Sequence, residues 1–222
     1  MGLNLTDRCF IIAEAGTCHM GSVTRALAYV HAAQQCGADA IKFQMFKDPN
    51  PETMFCWIDG DEARSVRWRQ SVLSLEDWGK IKADAESRGL IFLVSAFEYA
   101  TVRWLTELNV CATKVASRAA AYLDAFKDAP RPLLVSNGMT VVEPAADRIL
   151  LQCEAKYPST AVWTGEFPGF SDHSGDPHRP IDAIKRGCRL LEVHFYIEPE
   201  QAGPDYPAAL TLAELRQVCD SR

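Results

Sequence analysis

Apolar residues in this chain are arranged in two patterns, and their alternation predicts a repeated strand–helix architecture. Continuous apolar runs of strand length are typical of strands buried on both faces. Such runs occupy residues 9–14, 38–46, 90–97, 112–117, 132–139, 148–154, 167–173 and 189–196. Apolar residues at helical spacing lie between the earlier runs, at residues 24–36, 74–88, 98–108 and 119–129. Residues 47–73 show no clear period and are predicted to form a long loop.

Eight buried strands that alternate with helices predict a (β/α)8 TIM barrel in the α/β class, built as one domain over residues 1–222. An open, doubly wound sheet is the alternative. The first strand–helix turn argues against it, because it lacks the GxGxxG pattern with which such folds bind dinucleotides.

Two connections in the second half are unfavourable for barrel helices. Residues 140–147 are interrupted by Pro144 and are shorter than the dozen or more residues that a parallel crossover needs. Residues 155–166 have no helical period. We therefore predict a compact barrel with helices five and six shortened or missing. The outer faces of strands five to seven would then be uncovered, and uncovered apolar surface usually marks an interface, so we expect a homo-oligomer.

Composition narrows the possible classes of protein. The 222 residues are 48% hydrophobic and 23% charged, which excludes disordered, collagen-like and coiled-coil chains. A net charge of −6 without any basic run argues against nucleic acid as a partner. Neither a signal-peptide pattern nor an apolar stretch of membrane-span length occurs, and the eight cysteines contain no CxxC. We predict a cytoplasmic protein without a membrane partner, whose cysteines are reduced and mostly structural.

Polar residues interrupt the apolar strands near their C-terminal ends, which is where active sites lie in such barrels. One buried charge is most simply explained by a structural salt bridge, but five strands with polar residues at the same end indicate a site. Lysine and serine side chains there suit a phosphate or a carboxylate. The residues concerned are Glu14, Lys42, Gln44, Lys114, Ser117, Ser136, Glu192 and His194.

Two histidines follow the same logic. His173 and His194 end the last two strands, so their side chains are expected to be neighbours. Either histidine alone would more often be a polar core residue. Two imidazoles with carboxylates nearby, from Asp172, Glu192 and Asp205, predict a divalent metal of the Mn, Fe or Zn type.

Eight short motifs follow one another along the chain and carry a family resemblance. They are IIAEAGxxHxG (11–21), GADAIKFQ (37–44), KVAS (114–117), SNGM (136–139), YP (157–158), FSDH (170–173), EVHF (192–195) and GPD (203–205). Each motif is weak alone. In this order they resemble the sialic acid synthase family, which comprises N-acetylneuraminate synthase and its legionaminate, pseudaminate and spore-coat relatives. The resemblance covers nearly the whole chain.

The resemblance implies a transferase that condenses phosphoenolpyruvate with an open-chain N-acetylated amino sugar, giving a nonulosonic acid and inorganic phosphate. Carried over by motif, His173 and His194 would bind Mn2+ or Mg2+, which polarises the sugar aldehyde. Glu14 would handle the proton or water at the reacting carbons. Phosphoenolpyruvate would be held by Lys42, Lys114, Ser117, Ser136 and Ser171, and the sugar would contact Gln44, Tyr157, Glu192 and Asp205.

Elementary chemistry agrees with these implied roles. Carbon–carbon bond formation places negative charge on the aldehyde oxygen, where a Lewis acid helps. It also creates a cationic centre at the enol carbon, where a carboxylate such as Glu14 helps.

Several positions depart from the family pattern. Cys18-His19-Met20-Gly21 stands where the family often has Asn-His-Asn-Gly, and Tyr206 follows GPD where a histidine is usual. Cys18 is interpreted as a packing residue rather than an extra ligand. The family's C-terminal antifreeze-like domain is expected to be absent, since the chain ends at Arg222. These departures fall on the sugar side, so the acceptor is expected to differ from N-acetylmannosamine.

Three functions remain open from the sequence. The first is a phosphoenolpyruvate-dependent synthase that acts on a sugar or another aldehyde. The second is a related aldose-phosphate condensing synthase or a metal-dependent aldolase. The third is a non-catalytic relative that binds phosphoenolpyruvate or a sugar without turnover.

Overall fold

Eight parallel strands close into a barrel in the computed structural model, which describes residues 3–57 and 59–222. Each strand pairs with the next along the chain, and the first pairs with the eighth to close the ring. The predicted (β/α)8 barrel is confirmed. The strands are β1 (Phe10–Gly16), β2 (Ala40–Met45), β3 (Ile91–Ala96), β4 (Thr113–Val115), β5 (Leu133–Asn137), β6 (Arg148–Cys153), β7 (Gly169–Asp172) and β8 (Leu190–Phe195).

The helices lie outside the barrel. They are α1 (Val23–Cys36), α2 (Glu62–Gln70), α3 (Leu75–Ser87), α4 (Tyr99–Glu107), α5 (His178–Lys185), α6 (Pro199–Ala202) and α7 (Leu212–Asp220). A 3₁₀ segment, Ser117–Phe126, stands where the fourth barrel helix was expected. A second 3₁₀ segment, Gly203–Ala208, leads into the short strand β9 (Ala209–Leu210), which pairs with β8.

Helix boundaries follow the local capping signals. Ser74 accepts a hydrogen bond from the backbone N–H of Asp77 at the start of α3, as the sequence predicts. Gly37 ends α1 in the left-handed conformation, at φ 87°, which a glycine adopts without steric cost. The prediction of an irregular loop over residues 47–73 is wrong in part, because α2 forms there. Its sequence is rich in arginine and has only a weak apolar period, so the pattern did not reveal it.

Helices five and six of the barrel are missing, as predicted. No helix occurs between β5 and β6 or between β6 and β7, and all residues of both connections are described. The expected uncovered strand faces are not observed. Leu133, Leu150 and Phe170 are buried in one apolar cluster with the loop residues Val142 and Trp163. The homo-oligomer therefore stays a prediction and no longer has this support.

The strand register brings polar side chains of neighbouring strands together inside the barrel. Glu14 lies opposite Lys42 on β2 and opposite His194 on β8. Ser95 lies opposite Lys114, and Ser171 opposite Glu192. Because side chains alternate along a strand, the residues two positions earlier share the interior face. The residues two positions before Glu14, Lys42, Ser95, Lys114 and Glu192 are apolar. They belong to a separate buried cluster that includes Ile12, Ala40, Leu93, Leu134, Leu151 and Leu190.

The structure also bears on the predictions about the cysteines and about membrane-spanning helices. All eight cysteines are free thiols, and seven of them are buried. Within residues 3–57 and 59–222, no helix has both the length and the apolar character needed to cross a membrane.

Candidate active site

The C-terminal end of the barrel opens into a cavity of about 240 Å³. All the predicted catalytic, substrate-binding and histidine ligand residues line this one cavity; of the carboxylates expected near the histidines, Asp172 alone does not. Their individual roles remain predictions. The predicted residues are Glu14, Lys42, Gln44, Lys114, Ser117, Ser136, Tyr157, Ser171, His173, Glu192, His194 and Asp205.

Four charged side chains form the floor of the cavity: Glu14, Lys42, Lys114 and Glu192. Lys42 Nζ lies 2.9 Å from Glu14 Oε2 and 3.6 Å from Glu192 Oε2. Lys114 Nζ lies 3.7 Å from Glu192 Oε1, so this carboxylate is placed between the two ammonium groups. All four side chains are buried. Such a network is stable only if each charge has partners, since an unpaired buried charge is costly.

Serine hydroxyls complete the hydrogen bonding of the floor. Lys114 Nζ donates to Ser136 Oγ at 2.7 Å, and Lys42 Nζ donates to Ser95 Oγ at 3.1 Å. Ser171 Oγ donates to Glu192 Oε1 at 3.0 Å. These contacts hold the two ammonium groups at fixed positions in the barrel, which suits the binding of an anionic ligand.

The two floor carboxylates differ in their protonation. Burial alone would raise the pKa of Glu192, but the positive charges of Lys114 and Lys42 lower it to about 2. Burial raises the pKa of Glu14 to about 7, because Lys42 offsets the lost hydration only in part and Glu192 adds negative charge. Glu14 can therefore exchange a proton near neutral pH, as a general acid or base must.

His173 and His194 lie beside the floor with their ring centroids 5.3 Å apart. The two Nε2 atoms converge on the Tyr157 hydroxyl, at 3.2 Å from His173 and 3.5 Å from His194. His173 Nδ1 lies 2.9 Å from the carbonyl oxygen of Glu154, an acceptor, which leaves Nε2 as the lone-pair atom. Burial lowers the pKa of His173 to about 4 and that of His194 to about 3, so both rings are neutral at neutral pH.

The histidine pair fits a divalent metal by the chemistry of its donors. Neutral imidazoles that direct Nε2 to one point are typical metal ligands, and the carbonyl of Glu154 holds the other ring nitrogen of His173. Within the described residues, no group of three or more His, Cys, Asp or Glu side chains is arranged to hold an ion. The two imidazoles are thus the protein groups that would hold a metal here, and it would supply Lewis acidity beside the floor. Asp172 does not belong to this site, since its carboxylate accepts from Ser174 Oγ at 2.8 Å and does not line the cavity.

Three predicted residues line the walls of the cavity. Ser117 Oγ accepts from the Met139 N–H at 2.7 Å, which leaves its own hydroxyl proton available to a ligand. The Oδ1 atom of Asp205 lies 3.9 Å from the Nη1 atom of Arg64. Gln44 and Asp205 come so near Gly16 that a Cβ there would sit 3.4 Å from each side chain.

Further residues of the cavity escaped the sequence analysis: Asp61, Arg64, Ser95, Arg118 and Cys153. The alternation of strand residues could have identified Ser95 and Cys153, because each follows an inward-facing leucine by two positions. Arg118 directly follows Ser117. Arg64 had no usable signal, since it lies on α2, which the pattern did not predict.

Comparison with known proteins supports the family resemblance. The NeuB family matches residues 29–222, which is most of the chain. The spore coat polysaccharide biosynthesis protein SpsE of Bacillus subtilis is 30% identical over 248 residues, which cover 95% of this chain and 66% of SpsE. The N,N'-diacetyllegionaminic acid synthase of Legionella pneumophila is 29% identical, over 96% of this chain and 71% of its own.

A solved structure shows the same fold. The N-acetylneuraminic acid synthetase of Leptospira borgpetersenii superposes with a TM-score of 0.81 at 24% identity, over 100% of this chain and 87% of the other. The chain spans about two thirds of the length of SpsE. The alignment with SpsE is longer than the 222 residues of this chain, so SpsE has internal residues that this chain lacks. The resemblance predicted from the eight motifs is confirmed.

Proposed function

The chain belongs to the NeuB family, and from this premise we propose that it is a phosphoenolpyruvate-condensing synthase that acts on an open-chain sugar aldehyde. The relatives include proteins named as synthases of N,N'-diacetyllegionaminic acid and of N-acetylneuraminate-9-phosphate. One observation carries the proposal for this chain. The buried floor of two lysines and two carboxylates lies in one cavity with the His173–His194 pair.

The proposed reaction forms one carbon–carbon bond and one carbon–oxygen bond from water, and it breaks the carbon–oxygen bond to the phosphate. Carbon 3 of phosphoenolpyruvate bonds to the aldehyde carbon of the sugar, and the aldehyde oxygen takes up a proton. Water adds to carbon 2, and the bond from carbon 2 to the phosphate oxygen then breaks. The products are an acid of the nonulosonic type and inorganic phosphate.

Lys42 and Lys114 would bind the anionic groups of phosphoenolpyruvate on the cavity floor. Their ammonium groups are already desolvated, so a ligand meets them in a medium where charge interactions are stronger than in water. Ser117, Ser136 and Ser171 would supply hydroxyl donors around the same ligand. Glu192, which lies between the lysines, would hold them in place and face the acceptor from the floor.

Glu14 would move the proton during water addition, because its pKa near 7 allows both protonation states. Gln44, Tyr157 and Asp205 would contact the acceptor above phosphoenolpyruvate. When bound by His173 and His194, Mn2+ or Mg2+ would supply Lewis acidity for the developing negative charge on the aldehyde oxygen.

A phosphate-release assay tests the proposal. The protein is incubated with phosphoenolpyruvate, Mn2+ and a panel of aldoses and N-acetylated amino sugars. We expect inorganic phosphate to appear only when both phosphoenolpyruvate and an accepted aldehyde are present. Phosphoenolpyruvate binding without phosphate release across the panel would instead favour a non-catalytic relative.

A further inference from the structure

Arg118 is a half-buried cation of the cavity to which the proposed reaction assigns no role. It lies in the first turn after β4, in the 3₁₀ segment Ser117–Phe126, and its side chain lines the cavity. Its Nη1 is fully buried and has no hydrogen-bond partner among residues 3–57 and 59–222. One contact holds the guanidinium, which lies 5.3 Å from the centre of the Trp68 ring.

The other cations of the cavity are paired with carboxylates. Lys42 is paired with Glu14, Lys114 with Glu192, and Arg64 with Asp61 at 2.8 Å. Across the described part of the chain, Arg118 makes no comparable ion pair. Asp205 and Asp61 lie near enough to interact with its charge, but neither carboxylate contacts the half-buried guanidinium. A guanidinium nitrogen that is buried without a partner is costly, and here it faces a cavity that admits a ligand. This arrangement indicates an anion that arrives with a substrate.

The position of Arg118 assigns that anion to the acceptor. Arg64 and Arg118 lie on the more exposed side of the cavity, which we call its mouth: the Arg64 side chain is 22% exposed and Arg118 is half-buried, whereas the lysines of the floor are 4% and 1% exposed. Phosphoenolpyruvate has its cations on the floor. Arg118 also carries a lowered pKa, owing to burial and to the positive charge of Arg64, and an anion bound by both arginines would relieve both effects.

We propose that Arg118, together with Arg64, binds an anionic group of the acceptor aldehyde, either a carboxylate or a phosphate. The inference rests on the proposed function and specifies its substrate class. Guanidinium groups bind both anions through paired hydrogen bonds of fixed geometry, which lysine cannot offer. The acceptor is thus an anionic aldose derivative rather than a neutral sugar, and the two arginines select it at the mouth.

Binding of unreactive acceptor analogues provides the test. Alditols lack the aldehyde, so they bind without reacting. Three ligands are titrated calorimetrically into the full chain with phosphoenolpyruvate and Mn2+ present: an alditol, the same alditol phosphorylated at the end remote from the former aldehyde, and the matching uronic acid whose aldehyde has been reduced to an alcohol. We expect one of the two anionic analogues to bind tighter than the neutral alditol, and the tighter one identifies the anion. In Arg118→Gln that preference should fall about 10- to 100-fold.

Two further variants complete the design. Arg118→Lys keeps the positive charge but lacks the planar guanidinium that makes paired hydrogen bonds. It should therefore restore only part of the preference for the anionic analogue. Arg216→Gln, an exposed arginine on α7, should behave as the unmodified protein does. Phosphoenolpyruvate affinity, measured separately, should be unchanged in Arg118→Gln. Its loss would overturn the inference, because Arg118 would then belong to the phosphoenolpyruvate site.

The remaining outcomes are also decisive. Equal affinity for the neutral and anionic analogues would overturn the proposal that the acceptor is anionic. A preference for the anionic analogue that survives in Arg118→Gln would overturn the proposal that Arg118 binds it. A preference that depends on Arg118, found in a protein that releases no phosphate with any aldehyde, would support this binding site while the proposed catalysis failed. The two proposals can therefore fail separately.

Discussion

Two levels of the barrel interior lie only two residues apart on the same strands and have opposite chemistry. The side chains of the lower level are apolar and form one buried cluster. The upper level carries charges, hydroxyls and a thiol that line the cavity. The lower residues are Ile12, Ala40, Leu93, Ala112, Leu134, Leu151 and Leu190, and the upper ones are Glu14, Lys42, Ser95, Lys114, Ser136, Cys153 and Glu192.

The difference shows how the barrel separates stability from chemistry. The apolar level excludes water from below, so the charges above it act in a medium of low dielectric constant. Pairing within the upper level keeps those buried charges tolerable. Substitutions at the lower level should therefore change folding, whereas substitutions at the upper level should change binding and turnover.

Glu14→Gln should give the largest effect. An amide cannot exchange the proton, so turnover should fall by about 10²–10⁴-fold, while phosphoenolpyruvate still binds. Phosphate release and calorimetry measure the two quantities. Turnover of the unmodified protein should also decline as the pH drops below about 7, because protonated Glu14 cannot accept a proton. If turnover of Glu14→Gln still declined below about pH 7, the pH dependence would belong to another group.

Leu151→Ala should show the opposite profile. It removes a fully buried side chain from the lower level, and such truncations cost about 2–5 kcal/mol of unfolding free energy. Chemical denaturation measures the loss, and phosphoenolpyruvate affinity should be unchanged under conditions where the variant is folded. Val141→Ala, at an exposed loop residue, is the control and should change stability by less than about 0.5 kcal/mol. A large loss of affinity in Leu151→Ala would break the separation of the two levels.

His194→Ala tests the metal site. Loss of one of two imidazole ligands should weaken Mn2+ binding by at least about 10–100-fold, as measured by metal titration of the protein without substrates. The control His178→Ala removes an exposed histidine at the start of α5 and should leave the titration unchanged. Unchanged Mn2+ affinity in His194→Ala would remove the proposed site.

Ser136→Ala should produce the smallest effect. Lys114 loses the hydroxyl that accepts its hydrogen bond at 2.7 Å but keeps Glu192 and the carbonyl of Val115. Phosphoenolpyruvate binding should weaken by about 1 kcal/mol, roughly fivefold. The control Ser87→Ala, on the exposed face of α3, should have no effect on that affinity. An equal loss in both variants would show that the floor does not position Lys114 through Ser136.

The pattern of apolar runs was sufficient to predict the eight strands and the barrel. It also predicted that the polar strand residues lie at the same end of the barrel. Those features depend on local sequence and on the strict alternation of side chains. The covering of β5 to β7 was predicted wrongly, because Trp163 and Val142 cover the strands from irregular loops that have no periodic signal. Asp172 was predicted to lie near the proposed metal site, although its neighbour His173 already occupies the inward-facing position.

Arg64 and Arg118 could not be assigned from the sequence for a related reason. Their importance arises from long-range placement, since α2 and the turn after β4 meet at the mouth only in the folded chain. An arginine-rich helix usually indicates a solvated surface. The burial of Arg118 Nη1 is a property of the tertiary structure alone.

The central claim, that the upper level binds phosphoenolpyruvate through its buried lysines, is tested most directly by one titration. Phosphoenolpyruvate is titrated calorimetrically into the unmodified protein, Lys114→Met and the control Lys80→Met, which alters an exposed lysine on α3. We predict binding that is unchanged in Lys80→Met and at least about 10-fold weaker in Lys114→Met. Equal affinity in all three proteins would contradict the account and place the phosphoenolpyruvate site elsewhere.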